Sequence, residues 1–491
     1  MSGASTTGDT TPLEEQTVRT QHTATIGGRS VAYTASVGSI VVRHDPDNPI
    51  GDVTGLNPGQ AIAELFLTTY TRDDADPGER PVTFAFNGGP GSSSVWLHFG
   101  LLGPRRMPVK DGHTVPPFTL VDNAYSLLSD SDVVMVDPIG TGLSRAAPGA
   151  DPLRYADVEP DAQLVAAAIV QWLTANRRWL SPKYILGESY GGVRGPLVVR
   201  HLQARHAVFP SGLILISPAL DYALLRFNPG NDLAYISFLP TFAASAWFHQ
   251  RIAKPSDLHA HVAAAEAFAG GDYLLALARG DRLSAAARGD IAAKVATLCG
   301  LSREFVEHSN LRVTEPRFRR ELLRAQRLVI GRADSRFKGA DADPAGAVLT
   351  ADDDPSVHMS LAAPYTSAYN AYLRDELGCN LPRRYEVFHP TLKNDWKYAG
   401  YKNRTVHMGE VLRSEMCRNP QLRLYVATGH YDLATPHFQG DWAMDHLNLP
   451  AAALANVTRT RFDAGHMMYI HDESLTRLAA DLRKFVRPAT D

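Results

Sequence analysis

Cysteine is nearly absent: Cys299, Cys379 and Cys417 are the three in 491 residues. A sparse, odd-numbered set excludes a disulfide framework. No apolar run approaches the roughly 18 residues that a spanning helix needs, so no membrane partner is expected. Neither sign of charge dominates. Lys and Arg total 49 against 52 Asp and Glu, a net charge of −3. That excludes the basic footprint of a nucleic-acid binder. The N-terminal MSGASTTGDTTPLEEQ has no basic segment followed by an apolar one. It does not read as a secretion signal, and a cytoplasmic location is expected. No set of His, Cys, Asp and Glu has zinc-ligand spacing, so neither a metal nor a cofactor is expected. What the chain does have is apolar residues, 44% of the total, enough for a large core.

The pattern along the chain has four parts. Residues 1–17 are polar and predicted to be disordered. Residues 18–220 begin with β-like segments such as RSVAYTASVGSIVV and AELFLTTYTR. Short continuous apolar runs follow: PVTFAF, SDVVMV, KYIL and SGLILI. Such runs suit parallel strands buried on both faces. A helix is predicted from Glu159 to Leu180 between two of them, and strand alternating with helix implies an α/β domain with a mostly parallel central sheet. Residues 221–396 lose strand character and read as a large helical cap insertion. Strand signals return in 397–491 at LRLYVATG and TRTRFDAG, and a helix from Asp472 to Phe485 closes the chain.

Gly187-Glu188-Ser189-Tyr190-Gly191 is a G-x-S-x-G motif between a predicted strand and a predicted helix. That context puts a serine on a strained strand-to-helix turn, exposed for nucleophilic attack. Asn87-Gly88-Gly89-Pro90-Gly91 follows an earlier strand. Its adjacent glycines let backbone N–H groups approach a substrate carbonyl. An acid and a base are needed after the serine, in that order. Asp432 follows the strand LRLYVATG, and His466 follows the strand TRTRFDAG, behind a glycine. His430 and His437 compete for the role of base, and Asp463 for that of acid. Ser189 would attack, His466 would act as base and then as acid, and Asp432 would hold the imidazole.

These motifs resemble the serine carboxypeptidase family of the α/β-hydrolase superfamily. GESYGG is similar to its GESYAG, NGGPGSSS to its NGGPGCSS, VVMVDPIGTGLS to its DQPVGTGFS segment, GHYDLATP to its GDxD loop and AGHMM to its GHM motif. The likeness covers roughly residues 80–220 and 395–486. It implies a Ser189–Asp432–His466 triad and an oxyanion hole from the N–H groups of Gly89 and Tyr190. It implies further that Asn87, Gly88 and Glu188 bind the substrate's terminal carboxylate and that Met467 lines the pocket. The expectation is a bacterial-type member without signal peptide or disulfides, releasing C-terminal residues from a peptide through an acyl-enzyme. The chain departs from the family at four places: Ser92 replaces a cysteine, Ala85 a tryptophan, Leu101 the second glutamate of the carboxylate pair, and His430 the first Asp of the acid loop. Leu101 and Ala85 motivate an alternative, an ester or amide hydrolase or an acyltransferase acting on a small acyl substrate. A second alternative is an inactive protein that binds partners through the cap.

Four weaker features are read as structural. His259 and His261 would diverge on a helix and are expected to be solvated. Asp352–Asp354 reads as an exposed turn. Tyr365, Tyr369 and Tyr372 have the spacing of a packed helix face. Arg105 and Arg106 read as surface charges.

Overall fold

The computed structural model describes residues 13–109, 116–252, 257–346, 349, 354–357 and 360–487. Its centre is a ten-stranded sheet. Three long antiparallel strands form one side: β1 (Thr17–Ile26), β2 (Arg29–Arg43) and β3 (Ala61–Arg72). Six parallel strands follow: β4 (Val82–Phe86), β5 (Asp132–Val136), β6 (Lys183–Glu188), β7 (Gly212–Ile216), β8 (Arg423–Gly429) and β9 (Val457–Phe462). The order across the sheet is β1-β2-β3-β5-β4-β6-β7-β8-β9, and the short Arg145–Ala146 strand pairs with β3. The predicted mostly parallel sheet is therefore present.

Two helices precede and follow β6: α1 (Val158–Ala175) and α2 (Gly191–His206). Between β7 and β8 the chain forms α3 (Leu233–Phe248), α4 (Leu258–Phe268), α5 (Ala285–Cys299) and α6 (Ala362–Ala371), with shorter turns among them. The last helix, α7 (Asp472–Val486), follows β9. Asp157 caps α1 by accepting from the Val158 N–H at 2.7 Å, with Glu159 and Asp161 in its first turn, as the helix dipole favours. Leu475, Leu478, Leu482 and Phe485 are buried along one face of α7, the period of an amphipathic helix.

Side chains alternate across each strand, so the sheet builds two cores. Phe84 and Phe86 of β4 pack with Leu164 and Ile169 of α1 and Leu197 of α2. Ala85, between them, faces the other way, into a core with Leu475 and Leu478 of α7 and Tyr365 and Tyr369 of α6. The small Ala85 thus lies under a tyrosine-rich layer. Tyr70, His98 and Tyr372 join that layer through buried hydrogen bonds: the Tyr70 hydroxyl lies 2.7 Å from His98 Nε2 and 3.0 Å from the Tyr372 hydroxyl. The predicted packed role of the three tyrosines matches this arrangement.

The stretch 221–396 packs in two places. Residues from Ile236 to Ile330 share a separate hydrophobic core that Leu433 joins. Residues Leu361–Val387 pack into the sheet core on the α7 side, and Leu392 and Trp396 into the core on the other. An antiparallel pair, Leu328–Ile330 with Lys338–Ala340, interrupts the helices. Among the described residues, no helix is long and apolar enough to cross a membrane.

Three expectations need correction. Of the predicted disordered stretch, residues 1–12 lie outside the described residues. Thr17 already opens β1, and the Gln16 carbonyl and Glu15 carboxylate accept from Ser39 and Val41 of β2. Asp354 is buried rather than in an exposed turn, accepting from Arg332 and Ser356 N–H groups; Asp352 and Asp353 lie outside the described residues. Arg105 and Arg106 are ion-paired, with Asp122 and Glu376 and with Asp472 respectively.

Candidate active site

Parallel register brings the site together. Gly187 lies opposite Phe86, Ile216 lies opposite both Glu188 and Ala427, and Gly429 lies opposite Phe462. The loops that begin at residues 87, 189, 217, 430 and 463 therefore leave one edge of the sheet.

Ser189 occupies the left-handed region at φ 61. Such a backbone costs roughly 1–3 kcal/mol and persists only where its surroundings over-determine it. The loop after β7 does so. The Ser189 N–H donates to the Ile216 carbonyl at 3.0 Å, and the Ala219 N–H donates to the Ser189 carbonyl at 2.9 Å. The same loop holds the histidine: Ser217 Oγ donates to the His466 carbonyl at 2.8 Å. Ser189 is half-buried, whereas Asp432 and His466 are buried.

His466 Nδ1 lies 2.7 Å from Asp432 Oδ2. Asp432 Oδ1 accepts from the Ala434 and Thr435 N–H groups at 2.7 and 2.9 Å, and Oδ2 accepts from Thr435 Oγ1 at 2.8 Å. Burial pulls the His466 pKa down, but the charge and hydrogen bond of Asp432 outweigh it, and the net shift is upward. With Nδ1 committed to Asp432, Nε2 is the nitrogen left for proton transfer. The rival groups are paired elsewhere. His430 Nδ1 meets Asp463 at 2.8 Å, and His437 Nε2 meets Glu266 at 2.9 Å. Burial pushes the His437 pKa down to about 4.

The Asn87–Gly91 loop lies against the elbow. A Cβ on Gly88 would stand 2.3 Å from the Tyr190 nitrogen, so only glycine allows this approach. Neither the Gly89 N–H nor the Tyr190 N–H has a backbone acceptor among the described residues, and Tyr190 immediately precedes α2, whose N-terminus favours negative charge. Arg194, almost fully buried, ties the loop down. It donates to the Asn87 carbonyl at 2.6 Å and to Asp161 at 2.6 Å.

Glu188 is buried beside the serine. Burial is the main cause that raises its pKa to about 7, against the charge of His466 and the hydrogen bond from Tyr469. Leu101 lies in the apolar core and brings no carboxyl group. Met467 is buried next to the base. The segment Tyr385–Leu392 covers the site loops: the Ser93 N–H donates to the Val387 carbonyl, and the His389 N–H to the Gly91 carbonyl.

Among the described residues, His259, His430 and Asp463 form a group that could hold a metal ion, with ligand atoms within 4.8 Å of one another. His259 is thus beside Asp463 rather than simply solvated, while His261 Nε2 meets the Leu298 carbonyl at 3.0 Å.

Sequence reasoning missed Thr435, Arg194, Asp334 and Tyr469. Thr435 lies inside the GHYDLATP motif, and its position three residues after Asp432 was the available signal. The others act through contacts distant in sequence, which no local pattern records.

A family model for serine carboxypeptidases matches residues 56–211, about a third of the chain. Serine carboxypeptidase-like 9 of Arabidopsis thaliana is 26% identical over 179 residues, 36% of this chain and 38% of the relative. Serine carboxypeptidase-like 14 of the same plant is 32% identical over 183 residues, 37% of this chain and 39% of the relative. The matches thus span less than two-fifths of the curated relatives' length. A solved prohormone-processing carboxypeptidase from Saccharomyces cerevisiae aligns over 92% of this chain and 91% of its own, at 14% identity and a TM-score of 0.54. The chain has the α/β-hydrolase fold.

Proposed function

We propose that this protein is a serine carboxypeptidase. Ser189 Oγ attacks the carbonyl carbon of the C-terminal peptide bond as His466 Nε2 takes its proton. The N–H groups of Gly89 and Tyr190 stabilise the oxyanion. The imidazolium, held by Asp432, gives that proton to the leaving amine, and an acyl-enzyme remains on Ser189. Water, deprotonated by the same histidine, then releases the acid. The observation that carries the exopeptidase reading is Glu188. It is a buried carboxyl group directly before the serine, with a pKa near 7, so in its neutral form it can donate a hydrogen bond to a substrate carboxylate. Asn87 and Gly88 complete that subsite, and Met467 borders it. Three free cysteines, two of them buried, suit a reducing compartment and so a cytoplasmic location.

The experiment compares blocked dipeptides with free and amidated C-termini. A carboxypeptidase favours the free acid by at least about tenfold in kcat/KM. Equal turnover would instead favour the second reading, an ester or amide hydrolase or an acyltransferase, for which the burial of Leu101 in the apolar core is the motive.

A further inference from the structure

Tyr469 stands three residues after His466, in the turn Met468–Ile470, and is fully buried. Its hydroxyl donates to Glu188 Oε2 at 2.7 Å. Its ring lies over Gly100, where a Cβ would come within 2.2 Å of ring carbon Cδ2. Gly100 adjoins Leu101, the position where a second glutamate was expected. The absent side chain at Gly100 therefore makes room for a ring that reaches the carboxyl from the opposite loop. Asn87, whose Oδ1 accepts from the Leu97 N–H at 3.1 Å, acts on the titration of both Glu188 and Tyr469.

We propose that Tyr469 is the positioning residue of a carboxylate subsite built on one acid rather than two. Its hydroxyl takes the place of the second carboxyl group, and Oε1 of Glu188 is left to carry the proton and donate to a free α-carboxylate. This rests on the carboxypeptidase reading. A phenol suits the role because it always donates here: burial and the Glu188 charge hold its pKa well above the ordinary value. A second carboxyl would share its proton and change character with pH. The groups facing Glu188 are His466, Asp432 and Tyr469, and the buried Tyr365 also feels its charge.

The test uses the full chain and the paired free-acid and amidated dipeptides across pH 5–9. For wild type, kcat/KM on the free acid should fall at high pH as Glu188 loses its proton. Tyr469→Phe keeps the ring and removes a bond that favours the ionised carboxylate. The falling limb should move up by about one unit, the effect of one charge-assisted hydrogen bond, while the profile on the amide keeps its position. A limb that does not move, or one that moves equally on both substrates, would overturn the proposal. Glu188→Gln is the independent check: the free-acid limb should vanish, and its persistence would also overturn the proposal. If wild type turns over acid and amide alike at every pH, the carboxypeptidase reading fails and this proposal with it. Discrimination that Tyr469→Phe leaves unchanged overturns the proposal alone.

Discussion

The two sides of the active site are held by different parts of the chain. On the nucleophile side the bonds to Ser189 and Asn87 come from the sheet domain, while the insertion adds contacts farther along the loop, at Gly91 and Ser93. Ser189 is fixed by Ile216 and Ala219, and Asn87 by Arg194, which is itself held by Asp161. On the acid–base side, half of the frame comes from the insertion. The Ala333 carbonyl accepts from the His466 N–H at 2.6 Å, and Asp334 Oδ2 from the Gly465 N–H at 3.2 Å. The Ser335 N–H donates to the Tyr431 carbonyl, and the Leu433 N–H to the Arg332 carbonyl. The reason is topological. β6 lies in mid-sheet with parallel neighbours on both sides, but β9 is an edge strand. The loop after β8 leans on the end of β9, through the His430 N–H to the Phe462 carbonyl, but the loop after β9 has no further strand beside it, and residues 332–335 fill that place. The insertion is a structural part of the catalytic frame as well as a cover.

The largest test of this division is Ser189→Ala. The proposed mechanism puts its covalent bond on the nucleophile side, so activity should fall at least about a thousandfold with the fold unchanged. Retention of more than a few percent of the rate, with circular dichroism as in wild type, would show that another residue attacks.

Arg194→Met tests whether the nucleophile side stands on the buried pair. The side chains of Arg194 and Asp161 are at most 1% exposed. Removing one partner strands the other charge, at a cost of about 3–5 kcal/mol. Asp161 is already pushed upward by burial, with Arg194 opposing. Urea unfolding should show that loss, and unchanged stability would mean that the Asn87 loop is held by other contacts.

These contrasts explain what could be read from the sequence. The elbow and the Asn87 loop are continuous motifs because their geometry is local: a left-handed serine and a glycine against the Tyr190 nitrogen both leave a mark within five residues. Asp432 and His466 could be placed because each follows a strand. The parallel strands showed as short apolar runs because both faces are buried. Asp334 left no mark, since it meets Gly465 across 131 residues. Tyr469 was invisible for a related reason: a tyrosine after a histidine is ordinary until its hydroxyl is seen on Glu188. The insertion read as helical by composition, but composition does not say that 361–396 returns to the sheet core.

A smaller effect should come from Asp334→Ala. The change removes the acceptor for Gly465 and the partner of Arg336, whose Nη2 lies 2.6 Å from Asp334 Oδ2. The expected cost is about 1–3 kcal/mol in stability, the range for an unsatisfied buried group. With the base loop loosened, kcat should fall roughly tenfold, within what a small misplacement costs. If kcat held while KM alone rose, the insertion would act as a cover and not as a frame.

The smallest effect concerns the charge on His466, followed by NMR in Ser189→Ala protein so that no turnover intervenes. Its pKa lies above the ordinary 6.5, because Asp432 outweighs burial; Glu188 adds to the rise, and Arg332 opposes it. A histidine with a raised pKa in the folded state stabilises the fold fully below the unfolded value, and that contribution fades as pH climbs through the folded value. Catalysis has the opposite sign. The base must be neutral, so kcat/KM on an amidated substrate should rise with pH through the same titration. Adding Asp432→Asn should lower the His466 pKa, and adding Glu188→Gln should lower it less, since Asp432 contributes both charge and a hydrogen bond. If Glu188→Gln produced the larger fall, the imidazole would be governed from the nucleophile side, and the division between the two halves would not hold for charge.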